Sequence, residues 1–300
     1  MDKRADSEFM TDSPILVRGY SRSGGTLLVT MLDAHPDVAM SYELYPHLLK
    51  IENDDDAILR NLARRIGEAP DLRSAGRSLE RSPFRTFILR CARGGLDNID
   101  IAKLLEQHLD DRMGFATDEG RLRFMQRCCV MKMHREGKKQ WGLKCSSSYE
   151  IYTELWPSAR FLNVIRDGRD VLASQLLTGS FRNSPEEVGA GWSQTHLRFR
   201  RLVERGVIRG HEVRYEELVT NTEETTAEIC AFLGLDYEPV MIRHHEKDLT
   251  IFGAQHLSGA RVARPVDESS VGRWKQDLSG DQVERFLSTA SDAMTQLGYT

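Results

Sequence analysis

The chain has 300 residues, of which 40% are hydrophobic and 29% are charged, and its formal net charge is -4. This length suits one large α/β domain or two small ones, and the charge gives no general attraction to nucleic acids or anionic membranes. No apolar run reaches the length of a membrane span, no signal-peptide segment is evident, and the five cysteines and nine histidines lack disulfide-framework or metal-site spacing. We therefore expect a cytoplasmic protein with reduced thiols, no metal, and no nucleic-acid or membrane partner.

The polar residues 1–12 are expected to form a flexible tail, and 13–300 a single domain. An apolar run that begins at Ile15 predicts a buried strand, a glycine-containing loop follows it, and 27–34 predicts a helix. In this arrangement several backbone N–H groups converge at the start of the helix. Such a group of donors binds phosphate or another tetrahedral oxyanion.

The loop has the spacing of a nucleotide P-loop, because Gly19 is followed at the P-loop intervals by Gly24 and Thr26. It departs from a P-loop at Gly25, which occupies the position of the NTPase lysine, while Arg22 places a positive charge inside the loop. We interpret the stretch as a phosphate-binding loop that is not built for ATP–magnesium chemistry. The alternative is a tight strand-to-helix turn without a ligand.

A short strand at 38–40 is predicted to deliver Glu43 to the same sheet edge as the loop, where ligands bind in open α/β sheets. Residues 48–135 are charged, helix-rich and broken by glycine and proline, and we expect a helical insertion over that edge. Further strands are predicted at 140–143, 161–165 and 211–214, and helices at 149–155, 186–204, about 222–232 and about 282–297. This alternation predicts an α/β fold with a P-loop-like, mostly parallel sheet flanked by helices.

Three segments resemble sulfotransferases that use 3′-phosphoadenylyl sulfate (PAPS) as the donor. Residues 19–28 are similar to the family's 5′-phosphosulfate loop. Residues 161–174 are similar to its 3′-phosphate motif, in which an apolar strand leads to R-D-x-R and a serine. Residues 271–279 resemble its late glycine/tryptophan segment, which closes over the nucleotide. The resemblance covers nearly the whole chain except the helical insertion.

The resemblance implies where the donor would bind. Arg166 and Ser174 would hold the 3′-phosphate, with Arg273 on the same phosphate and Tyr215 near the adenosine. Trp274 is expected to be mainly a packing residue and only secondarily a binding residue. The loop would bind the other end of the donor through Arg22, Ser23, Gly24, Gly25 and Thr26.

Within the family, residues 31–38 with Glu43, and the terminal 293–299, are closest in wording to protein-tyrosine sulfotransferases. That resemblance implies Glu43 as the catalytic base, Arg22 and Lys144 as cations at the reaction centre, and Ser258 as a charge-stabilising serine. The sulfuryl group of PAPS would pass in line to a hydroxyl acceptor and leave 3′,5′-adenosine bisphosphate (PAP), without a metal. A phenol, an alcohol, a glycan and a tyrosine peptide all remain open as acceptors, as does a homodimer.

The match has departures. Gly25 replaces a threonine of the usual loop, and Cys145 follows Lys144 where relatives have an acidic residue. The arginine that tyrosine sulfotransferases place after Arg166 is Thr178 here, and Arg182 is the candidate to replace it.

Purely structural roles for these residues, and other functions for the chain, remain as alternatives to the sulfotransferase interpretation. Arg166 could pair with Asp170 on one helix face, and Lys144 or Glu43 could be solvated surface groups. A P-loop kinase or NTPase with Asp167 as its Walker-B residue is one alternative function, and a non-catalytic nucleotide-binding scaffold is another. A local basic patch could attract an acidic peptide through Arg60, Arg64, Arg65, Arg73 and Arg77.

Overall fold

The computed structural model describes residues 13–41, 43–51, 55–79, 83–145, 149–179, 181–247 and 259–299. Its strands are β1 (Ile15–Gly19), β2 (Val38–Ser41), β3 (Gln140–Lys144), β4 (Arg160–Ile165) and β5 (Arg209–Arg214). Its helices are α1 (Gly25–Ala34), α2 (Asp56–Gly67), α3 (Leu72–Ser78), α4 (Pro83–Arg93), α5 (Asn98–Asp110), α6 (Asp118–Arg135), α7 (Tyr149–Leu155), α8 (Gly168–Thr178), α9 (Pro185–Glu204), α10 (Tyr215–Thr220), α11 (Thr222–Leu233), α12 (Gly259–Val262), α13 (Trp274–Asp277) and α14 (Gly280–Gln296).

The strands form one sheet in the order β2-β3-β1-β4-β5. β2 runs parallel to β3 with Val38 opposite Gln140, and β4 runs parallel to β5 with Arg160 opposite Arg209. Parallel neighbours need crossover connections, and helices supply them along this chain. The expected α/β fold with a P-loop-like, mostly parallel sheet flanked by helices is therefore confirmed.

The chain divides into two compact units. The first contains the described residues of 1–16, 32–159 and 247–259, and the second contains those of 17–31, 160–246 and 260–300. The helical insertion expected at 48–135 corresponds to α2–α6, all in the first unit. Each unit has buried aromatic and aliphatic side chains of its own.

Helix signals in the first unit lie where the sequence places them. α5 begins with a capping box in which Asp97 and Asp100 bind each other's backbone N–H groups. The periodic apolar positions of α5 and α6 are buried, including Met125 and Met133. These two methionines fill the core. Thr117 caps α6 by accepting a hydrogen bond from a backbone N–H group of its first turn.

A buried ion-pair network fixes the start of β2 in the first unit. The Asp33 carboxylate accepts hydrogen bonds from the Met40 N–H at 2.7 Å and from Lys132 Nζ at 2.9 Å. Burial opposes the charge of Lys132, but Asp33 and Glu136 outweigh it and raise the pKa of that ammonium group. Within the first unit, the network joins Asp33, β2 and α6 just before the chain reaches Glu43.

Two arginines of the expected basic patch form ion pairs with nearby carboxylates. Arg60 forms ion pairs with Asp56 at 2.7 Å and Asp110 at 2.9 Å, and Arg64 pairs with Glu68 at 2.7 Å. These contacts are exposed, so they contribute little to stability. They nevertheless cancel part of the positive charge on which attraction of an acidic peptide would depend.

The second unit is organised around a core between α8, α9 and α14. Trp192 packs edge-on against Phe286 and Tyr299, and Ile165 at the end of β4 belongs to the same cluster. A capping box at Ser184 starts α9, and another at Ser279 starts α14. α10 follows β5 directly and was not predicted as a helix from the sequence. The core thereby fixes the end of β4 and the start of α8.

Candidate functional site

The loop between β1 and α1 is closely packed inside the second unit. Arg22 and Gly24 both have left-handed backbones, with φ of 76° and 101°. A Cβ on Gly24 would lie 2.4 Å from Tyr215 Cδ2, and a Cβ on Gly19 would lie 2.4 Å from the Val164 carbonyl oxygen. Only glycine fits both requirements at position 24. The loop glycines therefore serve close approach as well as turning.

Helix α1 begins at Gly25, earlier than the sequence predicted, so Gly25 and Thr26 lie in its first turn. The first N–H groups of a helix have no partner within it, and they carry the positive end of the helix dipole. Ser23 precedes this turn, is buried, and its hydroxyl has no hydrogen-bond partner among the described residues. A buried hydroxyl beside a helix start can donate to an anion.

Arg166 directly follows β4, and this residue is buried, with 4% of its surface exposed. Its Nη1 donates to the Arg22 carbonyl oxygen at 3.3 Å, and its Nη2 donates to the Ser270 carbonyl oxygen. The guanidinium also lies 4.8 Å from the centre of the Tyr215 ring. Burial lowers the pKa of Arg166, and its Nε has no partner among the described residues. One hydrogen-bond donor of this cation is thus unsatisfied among the described residues.

The ion pair that was the structural alternative for Arg166 is also present. Arg166 Nη2 lies 3.8 Å from Asp170 Oδ2, and both side chains are buried. This distance is at the long limit for an ion pair, and it leaves the Arg166 Nε unused. A structural role and a binding role are therefore compatible in this residue.

The two segments that resemble phosphate motifs touch each other in the second unit. Arg22 Nε donates to Ser174 Oγ at 3.1 Å, and Gln175 Nε2 donates to the Ser21 carbonyl oxygen at 3.3 Å. Ser174 is buried on α8. With Arg166 bound to the Arg22 carbonyl, these contacts bring Arg22, Ser174 and Arg166 into one cluster, which we call the cationic cluster.

Asp170 anchors the late glycine/tryptophan segment to α8. Its two carboxylate oxygens accept from the Gly272 N–H at 2.8 Å and the Trp274 N–H at 2.9 Å. Burial raises the pKa of this carboxyl group, although the two N–H groups and Arg166 oppose the change. The Trp274 ring is only half-buried and stacks under the Arg169 guanidinium at 4.1 Å. Asp170 thus holds the Trp274 backbone, and Arg169 makes a cation–π contact with its ring.

The remaining residues of the expected donor site have the following places in the structure. Arg273 Nε is engaged by Asp277 at 2.6 Å within the segment. Thr178 closes the last turn of α8 by donating to the Gln175 carbonyl oxygen at 2.9 Å, and Arg182 is exposed. Ser258 lies outside the described residues. The assignments of Arg273, Tyr215 and Ser258 to a donor stay predictions.

A second polar cluster lies in the first unit around Glu43. Lys144 Nζ, at the end of β3, lies 3.5 Å from Glu43 Oε1, and Arg90 Nη2, on α4, lies 3.5 Å from Glu43 Oε2. Arg90 Nη1 also donates to the main-chain carbonyl oxygen of Glu43. We call Glu43, Arg90 and Lys144 the carboxylate cluster. Glu43 and Lys144 therefore lie within ion-pair distance of each other and are not two separate, solvated surface groups.

Glu43 has an unusual backbone, with φ of 55°. A residue with a Cβ pays roughly 1–2 kcal/mol for the left-handed region, so the surrounding contacts must stabilise it there. The carboxylate is about one-fifth exposed, at 22%. A carboxylate held between two cations and still open to solvent can accept a proton from a hydroxyl group.

Tyr45 extends this cluster. The Arg90 guanidinium lies 5.2 Å from the centre of the Tyr45 ring, which stacks on His47 with 5.4 Å between centroids. Burial raises the pKa of the Tyr45 hydroxyl, and the negative charge of Glu43 raises it further. Burial lowers the pKa of His47, with Arg90 acting in the same direction. Both rings are therefore neutral near pH 7.

Sequence reasoning missed Arg90 as a member of the site. It is separated from Glu43 by 47 positions and is one of several arginines in a charged helical region, so no spacing marks it. The sequence likewise indicates Arg169 only as the last residue of the R-D-x-R motif, whereas in the structure its guanidinium stacks on the Trp274 ring. Both contacts depend on how the helices pack, which local pattern does not encode.

The described residues offer no evident metal site or membrane-spanning helix. They contain no group of three or more His, Cys, Asp or Glu side chains arranged to hold a metal ion. None of their helices combines the length and apolar character that crossing a membrane requires. All five cysteines are buried free thiols, as expected.

Solved structures resemble this chain in fold. The sulfotransferase domain from the curacin biosynthetic pathway is 20% identical with a TM-score of 0.57, covering 96% of this chain and 98% of that domain. The sulfotransferase domain from the Synechococcus PCC 7002 olefin synthase is 18% identical with a TM-score of 0.54, covering 92% and 94%.

Sequence relatives give closer matches. Protein-tyrosine sulfotransferase 2 of Gallus gallus is 26% identical over 303 residues, which span 95% of this chain and 69% of the relative. The protein-tyrosine sulfotransferase of Drosophila melanogaster is 26% identical over 300 residues, and there the match spans only 51% of the relative. The sequence profile of the Sulfotransferase family matches residues 14–239. The chain therefore belongs to the sulfotransferase family.

Proposed function

We propose that this sulfotransferase takes the sulfuryl group of PAPS and transfers it to a hydroxyl acceptor, with PAP as the second product. The observation that carries the proposal is the buried Arg166 guanidinium, which binds the phosphate-loop backbone and keeps its Nε without a partner among the described residues. A buried cation with an unused donor is costly unless a ligand or another group satisfies it.

The cationic cluster fits the donor in chemistry. PAPS carries anions at two ends of a nucleoside, so it needs two sets of donors. The first turn of α1, with the buried Ser23 hydroxyl, supplies one set, and Arg166 with Ser174 supplies the other. Tyr215 presents an aromatic face beside Arg166 and Gly24, consistent with its proposed place near the adenosine. We propose that Arg273 and Trp274 act from the segment that Asp170 anchors.

The carboxylate cluster fits the acceptor side of the reaction. Bound PAPS would supply an activated sulfuryl group with PAP as its leaving group. We propose that Glu43 takes the acceptor proton while the hydroxyl oxygen attacks in line. A positioned base of this kind contributes about 10²–10⁴-fold to a rate. Lys144 and Arg22 would stabilise negative charge that develops during transfer, and Ser258 would assist, each such donor contributing about 10²–10³-fold.

The proposed acceptor follows from the named relatives. Two of them are protein-tyrosine sulfotransferases by name, so we propose a tyrosine side chain in a peptide as the first acceptor to test. A phenol or an aliphatic alcohol would present the same hydroxyl group with less surrounding structure. The cytoplasmic location and a possible homodimer stay predictions of the sequence.

Transfer of radioactive sulfur from PAPS labelled with sulfur-35 tests the proposal. The purified chain would be offered a tyrosine-containing peptide, 4-nitrophenol and an aliphatic alcohol, with EDTA present in one series. We expect labelled product from at least one hydroxyl acceptor, unchanged by EDTA. Transfer of phosphate from ATP–magnesium to the same acceptors, without sulfuryl transfer, would contradict the proposal and support a P-loop kinase. Binding of PAP without any transfer would support a non-catalytic scaffold.

A further inference from the structure

The Arg90 guanidinium contacts Glu43 at two places. Its Nη1 donates to the main-chain carbonyl oxygen, and its Nη2 lies 3.5 Å from the carboxylate Oε2. The planar guanidinium suits this task because its N–H groups point in fixed, diverging directions. A lysine at the same place has one nitrogen and could not span both oxygens in the same way.

A rigid helix holds the guanidinium in place. Arg90 lies on α4, where the neighbouring Phe87 and Cys91 are buried in the core of the first unit. Its ring contact with Tyr45 fixes the plane of the guanidinium from another side. The Arg90 side chain is 20% exposed, so its cationic head is partly shielded from water.

Glu43 needs this support more than an ordinary carboxylate does. It follows β2 and precedes the short 3₁₀ turn Pro46–Leu49, so no regular element holds its backbone. Its left-handed φ of 55° is a conformation that glutamate adopts only when its surroundings favour it. The Arg90 bond to the Glu43 carbonyl oxygen stabilises that backbone, and the contact at Oε2 orients the side chain on it.

We propose that Arg90 is a positioning residue for Glu43, which sets the direction of the carboxylate so that it can take the acceptor proton. The inference rests on the proposed function. In the step concerned, the acceptor O–H bond breaks and its proton goes to a Glu43 carboxylate oxygen, while an electron pair of the acceptor oxygen forms the new S–O bond. The bond from sulfur to the bridging phosphate oxygen of PAPS breaks in the same displacement, and its electron pair leaves with PAP. Lys144, on β3, faces the other carboxylate oxygen at 3.5 Å. Arg90 acts through Glu43 and needs no contact with the donor.

A double-mutant cycle tests whether Arg90 acts through Glu43. The variants are Arg90→Met, Arg90→Lys, Glu43→Gln and Arg90→Met with Glu43→Gln, and kcat is measured with saturating donor and acceptor. Misplacing a catalytic group by about 1 Å can cost about 10²-fold, so Arg90→Met should lower kcat about 10- to 100-fold. Arg90→Lys should recover only part of that loss. In the Glu43→Gln background, Arg90→Met should change kcat by less than about twofold, because residues that act as a unit are not additive.

Arg93→Met is the matched control, since Arg93 lies on the next turn of α4 and takes no part in the Glu43 ion pairs. It should keep wild-type kcat. Binding of PAP and the thermal midpoint should be close to wild type in all variants, which separates positioning from loss of fold. An equal fold loss on Arg90→Met in both backgrounds, or wild-type kcat in Arg90→Met, would overturn the inference.

A crystal structure of Arg90→Met gives a readout that does not depend on turnover. We expect the Glu43 carboxylate to move by about 1 Å or more, or its φ to leave the left-handed region. An unmoved Glu43 would overturn the positioning role. If Glu43→Gln instead keeps wild-type kcat, the proposed base is wrong, and that failure is visible separately from the geometry of Arg90.

Discussion

Arg22 Nε donates a hydrogen bond to Ser174 Oγ over 3.1 Å, which joins the phosphate-loop segment directly to α8. The two residues are 152 positions apart, and the resemblance assigns them to opposite ends of the donor. Arg166 completes the connection by donating to the Arg22 carbonyl oxygen at 3.3 Å. The loop and the 3′-phosphate motif therefore form one cluster of donors inside the second unit.

Replacing Ser174 should weaken binding of PAP. Ser174→Ala removes the hydroxyl that Arg22 contacts and that would donate to a phosphate. A hydrogen bond to a charged group contributes about 1.5–3 kcal/mol, so the dissociation constant should rise about 10- to 100-fold. Isothermal titration calorimetry measures it. Ser288→Ala on α14, where the hydroxyl bonds only within its helix, should bind as the wild type does; equal affinity of both variants would remove Ser174 from the site.

Gly24→Ala should damage both stability and binding. Its Cβ would lie 2.4 Å from Tyr215 Cδ2 on a backbone with φ of 101°. Overpacking of this kind costs about 1–3 kcal/mol, and urea unfolding should show a loss in that range. Binding of PAP should fall with it because the loop must move. Gly280→Ala has open space and is the control, expected within about 1 kcal/mol of wild type. A Gly24→Ala protein of wild-type stability would contradict the packing described for the loop.

Asp170→Asn should loosen the late segment. An amide has one carbonyl oxygen, so it cannot accept from both the Gly272 and the Trp274 N–H groups as the carboxylate does. Hydrogen–deuterium exchange of peptides covering 271–278 should become faster by about tenfold or more, the effect of losing about 1.4 kcal/mol of protection. Asp292→Asn, which is exposed on α14, should leave the exchange unchanged. Unchanged exchange in Asp170→Asn would show that other contacts hold the segment.

The buried His196 should make the protein less stable in acid. Burial lowers its pKa from 6.5 to about 3, and Asn163 Nδ2 lies 3.0 Å from its Nδ1. Between these two pKa values the unfolded chain binds a proton at His196 and the folded chain does not. The free energy of unfolding therefore decreases as pH falls from 6.5 toward 3. The slope from this one group approaches about 1.4 kcal/mol per pH unit.

His196→Gln should remove that part of the pH dependence. Urea unfolding at pH near 7.5 and near 5.5 should show a smaller drop for the variant than for wild type, by about 1 kcal/mol. His134→Gln, at an exposed position on α6, should follow the wild-type curve. Parallel curves for His196→Gln and wild type would mean that His196 does not control this loss.

The fold could be predicted from the sequence because its signals are local. Apolar runs mark β1 and β4, and a charged, helix-rich stretch broken by glycine and proline marks the helices within 48–135. Glycine at 234 ends α11 with a left-handed backbone, where a helix end was expected. The start of α1 at Gly25 and the short α10 were missed, since a glycine at a helix start and a single helical turn after a strand give little periodic signal.

The site could be predicted only in part. The contacts of Arg166 and Ser174 with the loop follow a motif that fixes which strand end and which helix carry them. The two contacts between Arg90 and Glu43 depend on how α4 packs against the segment after β2. The spacing of residues along the sequence does not indicate this packing. The dual engagement of Asp170 also went unforeseen, because the sequence offered only its pairing with Arg166.

Calorimetric titration of PAP in the absence of metal tests the central claim most directly. We predict that wild type binds PAP in EDTA more tightly than it binds ATP–magnesium. Arg166→Met should raise the PAP dissociation constant by at least about tenfold, while Arg201→Met, at an exposed position on α9, should not change it. No detectable PAP binding, tighter binding of ATP–magnesium, or an Arg166→Met protein with wild-type affinity would contradict the account.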